Sequence, residues 1–501
     1  MSPISGSYPT LDSLGSDSRF QVLLLCIGQG NRVLLRCVLP HAFGPNPDIL
    51  EALQIALAKN CVLGADYGTM HLTLETGAAR RALSIVAIFA AAILSYQAIR
   101  IWLADHQIHS SRLDIIERGA ALEPGNADAW DILGRYQQLD FAAGDPAQAL
   151  AAFQRAVEDN PLSAYYWMNL AGAYEATGDI AHAREAFERA RAVYPLSAEV
   201  AWNYGNFLLR QEQFPEGYAE IQIAVRADPS LLPLAISRTW RSNHDVGTLL
   251  NDILPQNPEA YLQALDFFAS IQQAEPGLAV WQRLASLGQP IALPRSFRFL
   301  DELIREDRSN DASRVWREGI TLAGLPREEP TNQSLIWDGT FAHDFPNGGL
   351  GWRWDNLLGV AIDFDAPPPS AGARSVRLDF GGGTNPELVQ PAEYVPVEPD
   401  RSYHFHAYLR TEAITTESGM QFYISDPNHY GAVSLFTENL AGTHLWTRVD
   451  AELTTGPQTH FLKISLYRRA SRLFDNKLSG TVWMADLSLV PSQGSPGRTS
   501  P

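Results

Sequence analysis

The stretch WMNLAGAYEATGDIAHAREAFERARAVYP, Trp167 to Pro195, decides how the middle of this 501-residue chain folds. Its apolar and small residues recur at helical spacing, with Trp167, Leu170, Ala171 and Tyr174 on a first helix and Ala183, Phe187 and Ala190 on a second. Gly178 sits at the turn between them and Pro195 ends the second helix. Small residues at Ala171 and Ala183 let two antiparallel helices approach closely, while Trp167, Leu170, Tyr174 and Phe187 fill the space between them. The unit repeats, because Pro161, Pro195 and Pro229 are spaced 34 residues apart.

The unit before it carries Trp130, Leu133, Gly134, Ala149, Phe153, Ala156 and Pro161, with three residues inserted around 141–143 and Tyr136 one place early. The unit after it carries Tyr204, Gly205, Leu208, Gly217, Ile221, Ala224 and Pro229, with Ala201 where the tryptophan belongs. A Trp-x2-Leu-Gly-x2-Tyr run followed by Ala, Phe and Pro at set distances resembles the tetratricopeptide repeat family, from which the middle unit departs only at Ala171. The resemblance implies a stack of helix pairs over residues 106–229, one face of which is left open to bind a protein segment. A second reading is a spacer that holds the next domain away from a membrane. Leu113 to Leu122 reads as a lone second helix whose partner is the end of an apolar segment near Ile101. Residues 230–330 keep helical periodicity without the signature, in Pro258–Gln272, Leu278–Leu287, Phe297–Glu306 and Asp311–Ala323, and are expected to be degenerate helix pairs.

Upstream, Ala82 to Ile99 is an uncharged run long enough to cross a bilayer as one helix. Arg80 and Arg81 before it favour a cytoplasmic N-terminus, and the run ends without a small-x-small cleavage pattern. Residues 70–105 are therefore expected to be a leader and single-pass anchor. This places the later domains in a bacterial periplasm, attached to the inner membrane. Residues 1–69 show no sustained period beyond an apolar run at Val22–Ile27 and a possible helix at Asp48–Lys59. Two readings stand: an over-extended gene start, with synthesis beginning at Met70, or a small cytoplasmic cap. Cys26, Cys37 and Cys61 are the only cysteines, and a cysteine-free remainder suits an oxidising compartment. A net charge of -18 argues against a nucleic-acid partner, since phosphate binding draws on clustered cations.

After Pro330 the composition shifts to Gly, Asn, Thr and aromatics in short alternating runs. Expected strands are Ser334–Trp337, Trp352–Trp354, Ala361–Phe364, Ser375–Phe380, Leu388–Val397, Tyr403–Thr411, Met420–Ile424, Thr447–Leu453, Phe461–Tyr467 and Thr481–Val490. They predict an antiparallel β-sandwich of jelly-roll type over residues 331–492, ahead of a disordered tail at 493–501. The whole is thus an α + β multidomain chain: transmembrane helix, α-solenoid, β-sandwich. IWDGTF at Ile336–Phe341, GWRWDN at Gly351–Asn356, VPVEPDRSYHFHAYLR at Val395–Arg410 and GTVWMADLSLVP at Gly480–Pro491 resemble the carbohydrate-binding family 4/9 jelly rolls of the galactose-binding-like group.

That resemblance implies glycan binding. Sugars need flat aromatic faces for their C–H groups and polar forks for their hydroxyls, and Trp354, Tyr423 and Tyr430 with Arg353 and Arg468 are the expected contacts. It also raises a structural calcium, for which Asp338 and Asp486 are the candidate ligands; the competing reading of these carboxylates is turn capping. Ala342 stands where the family usually places a calcium-holding acid. His404 and His406 share a strand face but lack a third metal ligand. No E-x-D-x-x-E, G-x-S-x-G, H-E-x-x-H, phosphate-loop or dinucleotide motif is present, so no enzyme is expected. The expected function is a membrane-anchored scaffold that docks a protein partner through its repeats and a polysaccharide through its sandwich, in exopolysaccharide or envelope assembly. The alternatives are a pure protein scaffold and a polysaccharide-cleaving enzyme.

Overall fold

The computed structural model describes residues 25–29, 32–36, 61–66, 69–74, 77–139, 144–325, 334–366 and 374–492. The expected helix at Asp48–Lys59, the insertion at 141–143 and the tail at 493–501 lie outside the described residues. The chain forms two compact units, residues 1–162 with 169–183, and residues 163–168 with 184–501.

The first unit begins with four antiparallel strands, β1 (Leu25–Gln29), β2 (Arg32–Arg36), β3 (Cys61–Asp66) and β4 (Thr69–Leu74), in the order β1-β2-β4-β3. Met70 lies inside β4, opposite Leu35 and Ala65. Helix α1 (Gly77–Ile108) follows. Within its stretch Arg81–Ile108 an unburied 18-residue window has mean hydropathy 2.1, so by length and composition the helix is long and apolar enough to cross a membrane.

The far end of α1 packs on α2 (Leu113–Leu122), where Ala104, Ile108, Ile116 and Ala120 are all buried. The contact lies beyond Ile101, which is itself exposed. Gly119 permits it, because a Cβ there would stand 2.8 Å from Ile108 Cγ2. Helices α3 (Ala127–Leu139) and α4 (Pro146–Asp159) then pair. Asp145 caps α4 by accepting the Ala147 N–H at 2.8 Å, and Pro146 takes a first-turn position that needs no donor. Gly134 lies directly on the Phe153 ring.

The unit boundary runs through α5 (Ala164–Ala176) and α6 (Ile180–Val193). Leu170, Ala171, Ala183, Phe187 and Ala190 are buried, as the repeat spacing requires, while Trp167 and Tyr174 are part-exposed. In the second unit, α7 (Ala198–Arg210) and α8 (Phe214–Ala227) close on small residues, a Cβ on Gly217 coming within 2.8 Å of Leu209 and one on Gly205 within 3.0 Å of Ile221. Next come α9 (Leu232–Asn243), a helical turn over 246–253, α10 (Pro258–Ser270), α11 (Ala274–Ser286), α12 (Phe297–Arg305) and α13 (Ser309–Leu322). The last four correspond to the helices named from the sequence, and α9 and the turn fall in the same region of expected helical periodicity. All share one core that includes Tyr261, Phe268, Trp281, Phe299 and Trp316.

The remaining strands are β5 (Val360–Asp365), β6 (Ser375–Gly381), β7 (Leu388–Pro396), β8 (Ser402–Ile414), β9 (Gln421–Ser425), β10 (Ser434–Phe436), β11 (Gly442–Thr454), β12 (Phe461–Arg468) and β13 (Ser479–Pro491). They form two antiparallel sheets, β10-β9-β12-β7 and β11-β8-β13-β6-β5, whose apolar faces contribute to one core, with Phe405 of β8 edge-on to Phe422 of β9 at 5.3 Å. Two expected strands are corrected. Ser334–Trp337 runs into a tight turn at Asp338, whose φ is 49°, and Trp352–Trp354 makes only a single bridge, between Arg353 and Ala392. The short strand β10 was not expected.

The helical and β segments expected as separate domains at 230–330 and 331–492 belong to the same compact unit. Trp316 meets Trp337 edge-on at 5.4 Å. Asn428 donates to Ile304 O at 2.8 Å and to Asp307 at 3.0 Å, and His460 lies 2.9 Å from Asp307.

Candidate functional site

Alternation along the strands divides the aromatic residues of the β domain between core and surface. On the four-stranded sheet, Phe422, Ile424, Leu462, Ile464 and Leu466 are buried, which leaves Tyr423, Lys463, Ser465 and Tyr467 on the outer face. Phe436 of β10 lies opposite Tyr423 and stacks on it at 4.4 Å with 14° between the rings. Tyr467 stands 5.1 Å from Phe436 and 5.6 Å from Tyr423. The result is a three-ring shelf across β10, β9 and β12, with Phe436 47% exposed and Gln421 beside Tyr467 in register.

One register row along, Lys463 faces Ser425 on one side and Tyr394 of β7 on the other. The Tyr394 ring carries two cations, Arg353 at 4.9 Å and Lys463 at 5.9 Å. Burial and the neighbouring Arg353 guanidinium push the Lys463 ammonium below the usual lysine range. Helix α12 walls this end of the face, and a cavity of about 300 Å³ lies between Asp301, Ile304 and Arg305 of the helix and Arg353, Tyr394, Pro427 and Asn428 of the β domain.

The outer face of the five-stranded sheet is different in kind. Arg377 binds Asp363, Asp365 and Asp379 together at 2.8 to 3.2 Å. Trp483 donates its ring N–H to Asp365 at 2.8 Å and is covered by the Arg410 guanidinium at 4.2 Å. His404 and His406 lie 6.0 Å apart on this face, with His404 3.1 Å from Asp450. Arg377, His404, Arg410 and Arg448 on this face each pair with one of its own carboxylates.

The expected contacts therefore separate. Tyr423 is on the shelf. Tyr430 is fully exposed in the β9–β10 loop, two residues beyond Asn428, which is tied to α12 and the residue pair after it. Arg353 borders the shelf but is committed to Asp301 at 2.5 Å and to Gly349 O at 2.6 Å. Trp354 is part-exposed and packs one side against the β core, apart from the shelf. Arg468 is corrected. It is 0% exposed and its guanidinium donates inward to Pro386 O, Ser418 O, Asn385 and Thr416, so it braces loops and meets no solvent-borne ligand. Phe436 and Tyr467 were missed, although Tyr467 shares the outward phase of Lys463 in a strand whose other face carries Leu462, Ile464 and Leu466.

Asp338 caps its own turn. Its two oxygens accept the backbone N–H groups of Ala342 at 2.6 Å and His343 at 2.8 Å, and burial raises its carboxyl above the ordinary range. Asp486 sits at a positive φ of 49° within the bulge of β13, next to Leu487, whose N–H reaches Gly339 O. Among the described residues no three His, Cys, Asp or Glu side chains converge on a metal position.

The helical repeats hold a second hollow, of about 460 Å³, lined by Glu117, Trp130, Leu133, Gln137, Gln148, Ala151, Ala152 and Arg155. Gln137 is the hub of its polar side: its amide donates to Glu117 and Gln148 and accepts the Asp145 N–H. The family described as tetratricopeptide repeat matches residues 138–182 and 174–231. These helix pairs are tetratricopeptide repeats. They make the chain a protein-interaction scaffold. The matched segments stop short of the β domain. No curated protein matches the chain. Among solved structures, one titled "Crystal structure of MamA" is similar at 12% identity and a TM-score of 0.23, over 35% of this chain and 85% of that one.

Proposed function

We propose that this protein is a single-pass, membrane-anchored periplasmic scaffold. Its repeats dock a protein partner, and its β domain, a jelly-roll sandwich, holds a polysaccharide on the outer face of β10-β9-β12-β7. The observation that carries the glycan half is the contrast between the two outer faces. One pairs its arginines with its own carboxylates, and the other presents the Tyr423–Phe436–Tyr467 shelf to solvent. Aromatic planes exposed side by side on a rigid sheet offer apolar area at a cost that folding alone does not recover, and they fit the C–H faces of sugar rings. The unburied apolar window of α1 supports the anchor, and the hollow beside Trp130 supports the protein-docking half.

Affinity electrophoresis of the full chain through gels containing soluble xylan, mixed-linkage glucan or acidic polysaccharides tests the glycan half. Retardation by at least one polymer, lost in Phe436→Ala and Tyr467→Ala, is the expected result. Migration unaffected by every polymer would leave a protein-interaction scaffold alone.

A further inference from the structure

The chain has only three lysines, Lys59, Lys463 and Lys477, against 56 acidic residues. One of the three stands on the shelf face. Lys463 is half-buried, and among the described residues its ammonium has neither an ion pair nor a hydrogen bond, its one contact being the Tyr394 ring. The charges around it are matched without it. Arg353 is bound to Asp301 and Arg305 to Glu302, so the Lys463 charge is the surplus on this surface. Holding an amine half out of water beside a guanidinium costs free energy that no carboxylate among the described residues returns. The pKa depression described above has the same origin.

We infer that the face formed by Tyr423, Phe436, Tyr467 and Lys463 binds an anionic polysaccharide, its rings on the aromatic shelf and a uronate carboxylate on the Lys463 ammonium. The inference rests on the glycan reading above and specifies the ligand class. Register places Lys463 one row, about 7 Å along the strand direction, from the row of Tyr423 and Ser465, so a chain running along β12 passes the rings and then reaches the cation. A strongly acidic protein repels polyanions at long range, which makes an unpaired cation beside an outward-facing aromatic shelf a selective feature.

Polygalacturonate and its fully methyl-esterified form share a backbone and differ in charge. Binding of both to the full chain in detergent would be compared at low and at moderate salt. The acid form is expected to bind about tenfold tighter, and Lys463→Gln to abolish that preference, Lys463→Arg to restore it and Lys477→Gln to leave it unchanged. Equal binding of acid and ester, or a preference that survives in Lys463→Gln, would overturn the inference while leaving the glycan reading intact. Binding of neither form, nor of xylan, would remove both. Tighter binding of polyglutamate than of polygalacturonate would overturn it in favour of an acidic peptide.

Discussion

Adding one methyl group at Gly134 forces α3 away from α4. A Cβ there would lie 2.7 to 2.9 Å from three atoms of the Phe153 ring, closer than carbon atoms pack, and Phe153 is fully buried with no room to swing. Overpacking of this kind costs roughly 1–3 kcal/mol. Replacing glycine by alanine inside a helix returns about 1 kcal/mol. With three ring atoms inside 3.0 Å the overpacking cost falls in the upper part of its range, roughly 2–3 kcal/mol, so the net expectation for Gly134→Ala is a loss of about 1–2 kcal/mol, a factor of roughly 5–30 in the opening equilibrium of the pair. Hydrogen exchange read by mass spectrometry on the full chain measures it locally, as faster exchange confined to α3 and α4. Gly172→Ala is the control: nothing lies within 4 Å of its Cβ position, so the same change there is expected to slow exchange. Phe153→Leu in the Gly134→Ala background should recover part of the loss. Unchanged or slower exchange in Gly134→Ala would refute the close-approach account of the repeat.

Arg468→Met leaves Pro386 O without its donor and removes one bond each from Ser418 O and Asn385, which keep Thr416 and Ser471, and is expected to destabilise the β domain by about 1–3 kcal/mol, read as a lower unfolding midpoint. Glu393 is fully buried, accepts the Trp337 N–H at 2.6 Å, and is held by burial well above the ordinary value of 4.5. A raised folded-state value means that its stabilising contribution is intact below the unfolded-state value and is lost as pH rises through the folded one. Glu393→Gln should therefore gain stability relative to the parent as pH rises from 4 to 8, and a pH-independent difference in denaturation midpoint would contradict this. A topology reporter fused after Pro501 is expected to be active outside the cytoplasm; activity in the cytosol would refute the anchored orientation.

The repeats were legible because they are dictated by a few contacts at fixed spacing. Gly134 must meet Phe153, and Gly205 must meet Ile221, so composition at those positions survives even where Ala201 replaces the tryptophan. The β strands were legible as runs but not in phase. Between Leu388 and Ala392 the register of β7 slips against β12, so counting by twos from Leu388 puts Tyr394 inside and Glu393 outside. The structure has the reverse, which is why the Tyr394 platform and the buried carboxylate were both missed. Arg468 misled for a related reason: an arginine beside exposed Tyr467 reads as a surface fork, yet it falls on the inward phase of β12 and is satisfied by loop carbonyls from distant sequence. The four-residue turn at Asp338 ended an apolar run that otherwise reads as a strand.

Hydroxyl-radical footprinting of the full chain, with and without polysaccharide, bears most directly on the ligand face. Protection of Tyr423, Phe436 and Tyr467 on addition of polygalacturonate, with Trp483 on the opposite sheet unchanged, is the predicted result. Protection of Trp483 while the three rings stay reactive would contradict it.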